Sequence, residues 1–314
     1  MIAVARMLLP AGLEPLEGRA EVRCGGLDAS RSQVLATVSG AEAVVTDPTV
    51  TVDPELLDAA GSQLKVVANF AVGYDNVDLD ACRRRGIAVT NTPDVLTNAT
   101  AELALALTLA AARLLGDAER DLRSGLWKGW DPAAYRGVEL SGATVGVVGM
   151  GRIGGRYAEL LSGFDVRLLY ASRARKPELE ARLGASATGL EELLRRADVV
   201  SLHLPATPRT RHLIDAAALE LIGERGVLVN TARGSLVDLG ALAEALREGR
   251  LGAAGLDVYE DEPRVPPELL EAPRAVLSPH IGSATVKARD AMARTVAANV
   301  IAVLDGREPP NRVV

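Results

Sequence analysis

The stretch Thr144-Val-Gly-Val-Val-Gly149-Met-Gly151-Arg152-Ile153-Gly154 constrains this chain more than any other. A short apolar run leads straight into G-x-G-x-x-G, after which Ile153, Tyr157, Leu160 and Leu161 recur at helical spacing. A strand, a tight glycine turn and a helix in immediate succession open a βαβ unit able to cradle a dinucleotide. Gly149 permits the turn, Gly151 lets backbone N–H groups approach a pyrophosphate, and Gly154 lets the helix pack closely on the sheet. The helix N-terminus adds partial positive charge toward the phosphates.

The rest of the chain repeats the strand–helix alternation. Apolar, Val-rich runs at Ile2–Ala5, Glu21–Cys24, Ala43–Thr46, Leu64–Asn69 and Ile87–Thr90 read as strands, with amphipathic stretches such as Arg31–Val38, Pro54–Ala59 and Leu79–Arg85 between them. A long Ala/Leu-rich helix is expected from about Ala99 to Arg120 with Asn98 as its N-cap. A looser segment, Gly125 to Gly137, holds both tryptophans. A second series of strands follows at Thr144–Val148, Val166–Tyr170, Val199–Leu204, Val227–Asn230, Leu251–Val258 and Ala275–Leu277, before a last amphipathic helix at about Val286–Leu304. With 314 residues, the pattern predicts an α/β protein of two doubly wound parallel-sheet domains. Periodicity alone leaves open whether the second is inserted into the first.

Several function classes are disfavoured. Net charge is −6 with acids and bases mixed and no basic tract, which argues against nucleic acid or an anionic membrane as partner. The longest apolar stretch, Leu103–Leu115, is interrupted by Thr108 and Arg113 and is too short to span a bilayer. Met1–Leu9 lacks the pattern of a signal peptide, so a soluble cytoplasmic protein is expected. Cys24 and Cys82 have no metal-like spacing; both are expected to be buried small residues in a reducing compartment, with no metal site.

The end of the second strand of the glycine-turn unit selects the cofactor. An Asp or Glu about 20 residues beyond the first glycine usually binds the ribose hydroxyls of NAD. Here the segment reads Leu169-Tyr-Ala-Ser172-Arg173-Ala-Arg175-Lys176, without an acid. Ser172 can hydrogen-bond a 2′-phosphate and Arg173 and Arg175 can pair with it, so NADPH is the expected cofactor and NADH the weaker alternative.

In an open parallel sheet, ligands bind outside the carboxyl ends of the strands. Asn230-Thr231-Ala-Arg233-Gly ends one predicted strand, Asp257 ends the next, Glu262 follows in the loop Tyr259-Glu-Asp-Glu262-Pro, and Ser278-Pro-His280 ends the last. Hydride arriving at a keto carbon needs a proton for the oxygen, which a histidine supplies near neutral pH. A carboxylate behind the ring holds its tautomer, and a guanidinium can clamp a substrate carboxylate. Of the three histidines, His212 reads as a surface residue and His203 as either a core residue or a lining group, which leaves His280 as the acid. Glu260 and Asp261 rival Glu262 on spacing, and Pro263 slightly favours the residue before it.

With these residues in view, the chain resembles the D-2-hydroxyacid dehydrogenase family over essentially its full length. Four segments carry the resemblance: Asn69-Phe-Ala-Val-Gly-Tyr-Asp-Asn, the Gly149 loop, Val229-Asn-Thr-Ala-Arg-Gly, and Gly255-Leu-Asp-Val…Glu262-Pro with Pro279-His-Ile-Gly. The resemblance implies catalytic Arg233, Glu262 and His280, with Asp257 contacting the nicotinamide amide. It implies that backbone N–H groups of Val72 and Gly73 hold the substrate carboxylate, and that Gly149, Gly151, Arg152, Ile153, Gly154 and Thr231 line the cofactor. It also implies that both chain ends, residues 1–98 and 282–314, build a flavodoxin-like substrate domain around an inserted Rossmann cofactor domain, residues 99–281.

Within that family, Thr92-Pro-Asp-Val-Leu-Thr-Asn-Ala-Thr-Ala-Glu, Gly125-Leu-Trp-Lys-Gly-Trp130 and His280-Ile-Gly-Ser-Ala-Thr285 are similar to the glyoxylate/hydroxypyruvate reductase group. This implies a homodimer in which Trp130 either reaches the neighbour's substrate pocket or anchors the interface, with Ser283 beside the catalytic histidine. Phosphite dehydrogenases have a lysine where this chain has Val72, and phosphoglycerate dehydrogenases use basic residues near Thr46-Asp-Pro-Thr, where none stands. The expected function is NADP(H)-preferring reduction of a small 2-keto acid such as glyoxylate or hydroxypyruvate. The alternatives are an NAD-dependent dehydrogenase of another 2-hydroxy acid, such as phosphoglycerate, and a non-catalytic, nicotinamide-sensing corepressor-like protein.

Overall fold

The central strands are short Val- and Ala-rich runs buried on both faces, as parallel sheets covered by helices require. The computed structural model describes all 314 residues, which divide into two units: Met1–Leu96 with Ser283–Val314, and Thr97–Gly282.

In the first unit, β1 (Ile2–Val4), β2 (Val22–Cys24), β3 (Ala43–Thr46), β4 (Val66–Asn69) and β5 (Ala88–Thr90) form a wholly parallel sheet in the order β2-β1-β3-β4-β5, the flavodoxin-like order. Helices begin where the sequence offers a side-chain cap: Ser30, Asp53 and Asp78 each accept the N–H three residues on. The helix Val286–Leu304 returns from the far end of the chain to pack on the helix Pro10–Glu17, burying Met292, Ala293, Val296 and Val300.

In the second unit, β6 (Thr144–Val148), β7 (Arg167–Ala171), β8 (Ser186–Ala187), β9 (Val199–Leu202), β10 (Val227–Asn230), β11 (Ala253–Leu256) and β12 (Ala275–Leu277) form a parallel sheet in the order β12-β11-β10-β9-β6-β7-β8. The strand order reverses between β6 and β9, so the ligand-binding crevice of such a sheet lies at their carboxyl ends. No single helix is long and apolar enough to cross a membrane.

Four local expectations are corrected. The long helix is two helices, Thr97–Ala112 and Leu115–Arg123, bent by 67°. Leu114 breaks it in a left-handed conformation, φ 52°. Asn98 lies inside the first turn, so it is no cap. Cys24, at the end of edge strand β2, is exposed, while Cys82 is buried. The strands predicted to reach Leu204 and Val258 end at Leu202 and Leu256, where the chain leaves the ladder to build the loops described next.

Candidate active site

The glycine turn joins β6 to the helix Arg152–Leu160 at the crevice. Gly149 has φ +98°, and a Cβ there would stand 2.6 Å from the carbonyl oxygen of His203, just past β9; one on Gly154 would stand 2.1 Å from the carbonyl oxygen of Gly149. The turn and the end of β9 therefore close on each other only without side chains. In front of Gly151, by contrast, a Cβ would meet nothing within 4 Å. Gly151 is the N-cap and offers no side-chain acceptor to the first helical N–H groups. Nearby in the sheet order, beyond β10, the hydroxyl of Thr231 is buried without a partner. Open backbone donors at a helix N-terminus and an unmatched buried hydroxyl fit a dinucleotide. Arg152 is exposed and Ile153 half-buried on the same turn.

Past β7, Ser172 and Arg173 are exposed, as a clamp for a ribose substituent must be. Arg175 is placed differently from the expectation: its guanidinium lies on the carboxylate of Glu180, with Nε 3.1 Å from Oε1.

The second half of the site is built from three consecutive strand ends. After β10, Asn230 shapes the turn: its Oδ1 accepts the Ala232 N–H (3.0 Å) and its Nδ2 donates to the Arg233 carbonyl (2.8 Å). A Cβ on Gly234 would fall 1.9 Å from the carbonyl carbon of Tyr259, so this glycine lets the Arg233 turn press on the loop after β11. That loop holds Glu262 from within, the Tyr259 N–H donating to Oε1 at 2.9 Å. The Tyr259 hydroxyl donates to the carbonyl of Ser278 (3.0 Å), tying the loop to the turn after β12. Across this joint Glu262 Oε2 lies 2.6 Å from His280 Nδ1. With Glu262 ionised, Nδ1–H of His280 donates to its carboxylate, which leaves Nε2 of His280 for other chemistry.

Asp257 is wholly buried and holds the histidine turn in place. Its carboxylate accepts the Ser278 hydroxyl (2.6 Å) and the N–H groups of Ile281 (2.8 Å) and Gly282 (2.7 Å), while its carbonyl accepts the His280 N–H (2.9 Å). Burial pushes the Asp257 carboxyl above its ordinary pKa, against the opposing pull of Ser278, the Ile281 N–H, the His280 charge and the Gly282 N–H. Burial also opposes ionisation of Glu262, but there the hydrogen bond and charge of His280, the Tyr259 N–H and the charge of Arg233 win, and its pKa lies below the usual range.

The rival acids are accounted for. Glu260 pairs with Arg211 (2.6 Å) and with His212 Nε2 (2.9 Å), and Asp261 is exposed. His212, read as a surface residue, is half-buried in a turn with φ 49° and braces the loop through Glu260. His203 has Nε2 2.9 Å from the Ser201 hydroxyl and a shielded Nδ1 without a partner; burial drives its pKa down to about 3.

In the first unit, the carbonyls of Val72 and Gly73 are held by the side-chain amides of Asn91 and Asn69, each at 2.8 Å, and their own N–H groups make no hydrogen bond within the chain. Ser283 stands in the turn before the last helix, its carbonyl accepting the Thr285 N–H. Trp130 is 85% exposed. The supporting roles of Asn91, Tyr259 and Ser278 escape sequence reasoning, since each acts through a hydrogen bond to a residue about 20 positions away, and that of Asn69 is hidden in a turn that closes on the Gly73 carbonyl.

A glycine-turn sheet carrying an acid–base pair at adjacent strand ends defines an oxidoreductase that uses a nicotinamide cofactor. Residues 105–282 match the model for "D-isomer specific 2-hydroxyacid dehydrogenase, NAD binding domain", and the chain belongs to the D-isomer specific 2-hydroxyacid dehydrogenase family. It is 48% identical to the glyoxylate reductase of Thermococcus litoralis over 90% of this chain and 86% of that one. It is 46% identical to that of Thermococcus kodakarensis over 99% and 95%. Among solved structures, it is similar to the TT0316 protein of Thermus thermophilus (TM-score 0.92, 46% identity, 100% and 99% of the two chains). It is also similar to the NADPH-dependent glyoxylate/hydroxypyruvate reductase of Sinorhizobium meliloti in complex with NADP and malonate (TM-score 0.88, 37% identity, 100% and 96%).

Proposed function

We propose that this protein reduces a small 2-keto acid, glyoxylate or hydroxypyruvate, with NADPH preferred over NADH. The observation that carries the reading is the 2.6 Å pairing of His280 with Glu262 beside the charge of Arg233. Relatives named glyoxylate reductase at 44–48% identity support the substrate, and the missing acid after β7, with Ser172 and Arg173 exposed there, supports the cofactor.

The residues that would hold the dinucleotide are the Gly149–Gly154 turn with Arg152 and Ile153, Ser172 and Arg173 at the adenosine ribose, and Thr231 toward the nicotinamide; Asp257, wholly buried and engaged by Ser278, Ile281 and Gly282, would act there through the turn it holds rather than by direct contact. Bound there, the nicotinamide supplies the hydride. Arg233 pairs with the keto acid and polarises its carbonyl; in the first unit, the N–H groups of Val72 and Gly73, which make no backbone hydrogen bond, are suited to a carboxylate. His280 donates the proton from Nε2 to the carbonyl oxygen, while Glu262 holds Nδ1–H and stabilises the imidazolium that gives it. Ser283 is assigned beside the substrate.

Exposed Leu122, Leu126, Trp127 and Trp130 fall in one short segment, more apolar surface than isolated residues explain. This supports a homodimer formed through that segment, to which Trp130 belongs. The test of function is a steady-state screen of glyoxylate, hydroxypyruvate and larger 2-keto acids with both nicotinamides. Turnover of the two small acids with NADPH ahead of NADH is expected. Absence of turnover with every acid defeats the reading and favours a cofactor-binding, non-catalytic role.

A further inference from the structure

Ser172-Arg-Ala-Arg-Lys176 after β7 carries three cations in five residues, and the structure does not treat them alike. Arg175 meets Glu180 fork to fork: Nε lies 3.1 Å from Oε1 and Nη2 bonds Oε2. Oε1 also accepts from the Tyr170 hydroxyl, and that hydroxyl accepts the Lys176 N–H at 2.8 Å. Tyr170, on β7, is 1% exposed, so Glu180 is anchored to the sheet from beneath and the loop is laced to it at two points. Arg175, then Tyr170, hold the Glu180 carboxyl below its ordinary pKa, so it stays an anion near neutrality. Ser172 and Arg173 are exposed, and no side chain of the protein engages them.

We propose that Glu180 is a specificity-determining residue that withholds Arg175 from the 2′-position of a bound dinucleotide and leaves recognition of a 2′-phosphate to Ser172 and Arg173. The inference rests on the NADPH reading above and deepens it. A 2′-phosphate is bound best by a guanidinium with both arms of its fork free. In Arg175 those arms face a carboxylate, and that carboxylate itself repels a phosphate dianion. The clamp thus moderates the preference for the phosphorylated cofactor.

Glu180→Gln tests this cleanly, because the amide oxygen still accepts from Tyr170 while the charge that holds Arg175 is gone. The probes are adenosine 2′,5′-bisphosphate and 5′-AMP, titrated calorimetrically into the full chain at one fixed ionic strength, since phosphate contacts are salt-sensitive. The readout is the ratio of the two Kd values. Glu180→Gln should raise the preference for the 2′-phosphate roughly tenfold, the effect of one new charge-assisted contact. Arg175→Ala alone should change it by less than about threefold, and adding Arg175→Ala to Glu180→Gln should abolish the gain. An unchanged ratio in Glu180→Gln, or a gain that survives in the double variant, overturns the proposal. Arg173→Ala separates the two readings. A wild-type ratio near one that does not respond to Arg173→Ala defeats the NADPH preference, while the Glu180 assignment is still decided by whether its removal raises the ratio through Arg175.

Discussion

Glu262 Oε2 and His280 Nδ1 lie 2.6 Å apart although 18 positions separate them and neither residue sits in a strand or helix. Two short contacts make the pairing possible: the absent side chain of Gly234 lets the Arg233 turn reach the Tyr259 backbone, and the Tyr259 hydroxyl reaches Ser278. Replacing Glu262 by Gln keeps an acceptor for Nδ1–H but removes the charge that favours imidazolium. Turnover should fall by about 10- to 100-fold, the worth of a charge-assisted hydrogen bond, with the cofactor Kd unchanged. Because the Glu262 pKa is lowered on folding, its contribution to stability is complete above about pH 4.3 and is lost as pH falls through the lower folded value. Urea midpoints of the variant should therefore lose part of that acid-limb dependence.

Arg233→Lys keeps the positive charge and discards the planar fork. We expect kcat/KM for glyoxylate to drop more than about tenfold, with KM raised and kcat lowered together, because the guanidinium serves both the bound keto acid and its transition state. Steady-state kinetics with saturating cofactor decide this, and a change confined to KM would restrict Arg233 to ground-state binding.

His203 gives a pH signature of stability. Its pKa is about 3 in the folded chain because of burial, against about 6.5 when unfolded. The unfolded state therefore binds the extra proton between those values. The stability associated with neutral His203 is fully present above pH 6.5 and is lost as pH falls toward 3, with a slope of up to about 1.4 kcal/mol per pH unit. His203→Gln should make the measured slope shallower in that window by as much as one proton, read from urea denaturation at a series of pH values.

Leu122, Leu126 and Trp127 are 60%, 63% and 56% exposed within six residues. If this segment is the dimer contact, Leu126→Asp combined with Trp127→Asp should shift the sedimentation coefficient from a dimer's to a monomer's. A wild-type chain that sediments as a monomer would remove the contact from the account.

Much of the architecture is legible in the sequence because its determinants are local. The runs at Ala43–Thr46, Thr144–Val148, Val227–Asn230 and Ala275–Leu277 begin and end where the strands do, with a Gly or Pro within two residues of at least one end of each. The break at Leu114 is not legible: the nearest glycine, Gly116, falls inside the second helix, and it is a leucine that takes the left-handed conformation between two helices that diverge by 67°. Strand β8 is only two residues long and rests on pairing with β7, which no periodicity reveals. At the site, strand ends point to Arg233, Asp257, Glu262 and His280, but spacing cannot separate Glu262 from Glu260. Partners do so, since Arg211 and His212 engage one and His280 the other. The engagement of Arg175 by Glu180 is likewise a tertiary fact, five residues apart yet across a loop–helix junction.

The most direct test of the account is turnover of glyoxylate by His280→Ala, measured as NADPH oxidation beside a fluorescence titration of NADPH binding. Loss of the general acid should depress kcat by roughly 10²–10⁴ while the NADPH Kd stays within about threefold of wild type. A variant that turns over at the wild-type rate would contradict the assignment of His280 as proton donor, and with it the role given to Glu262.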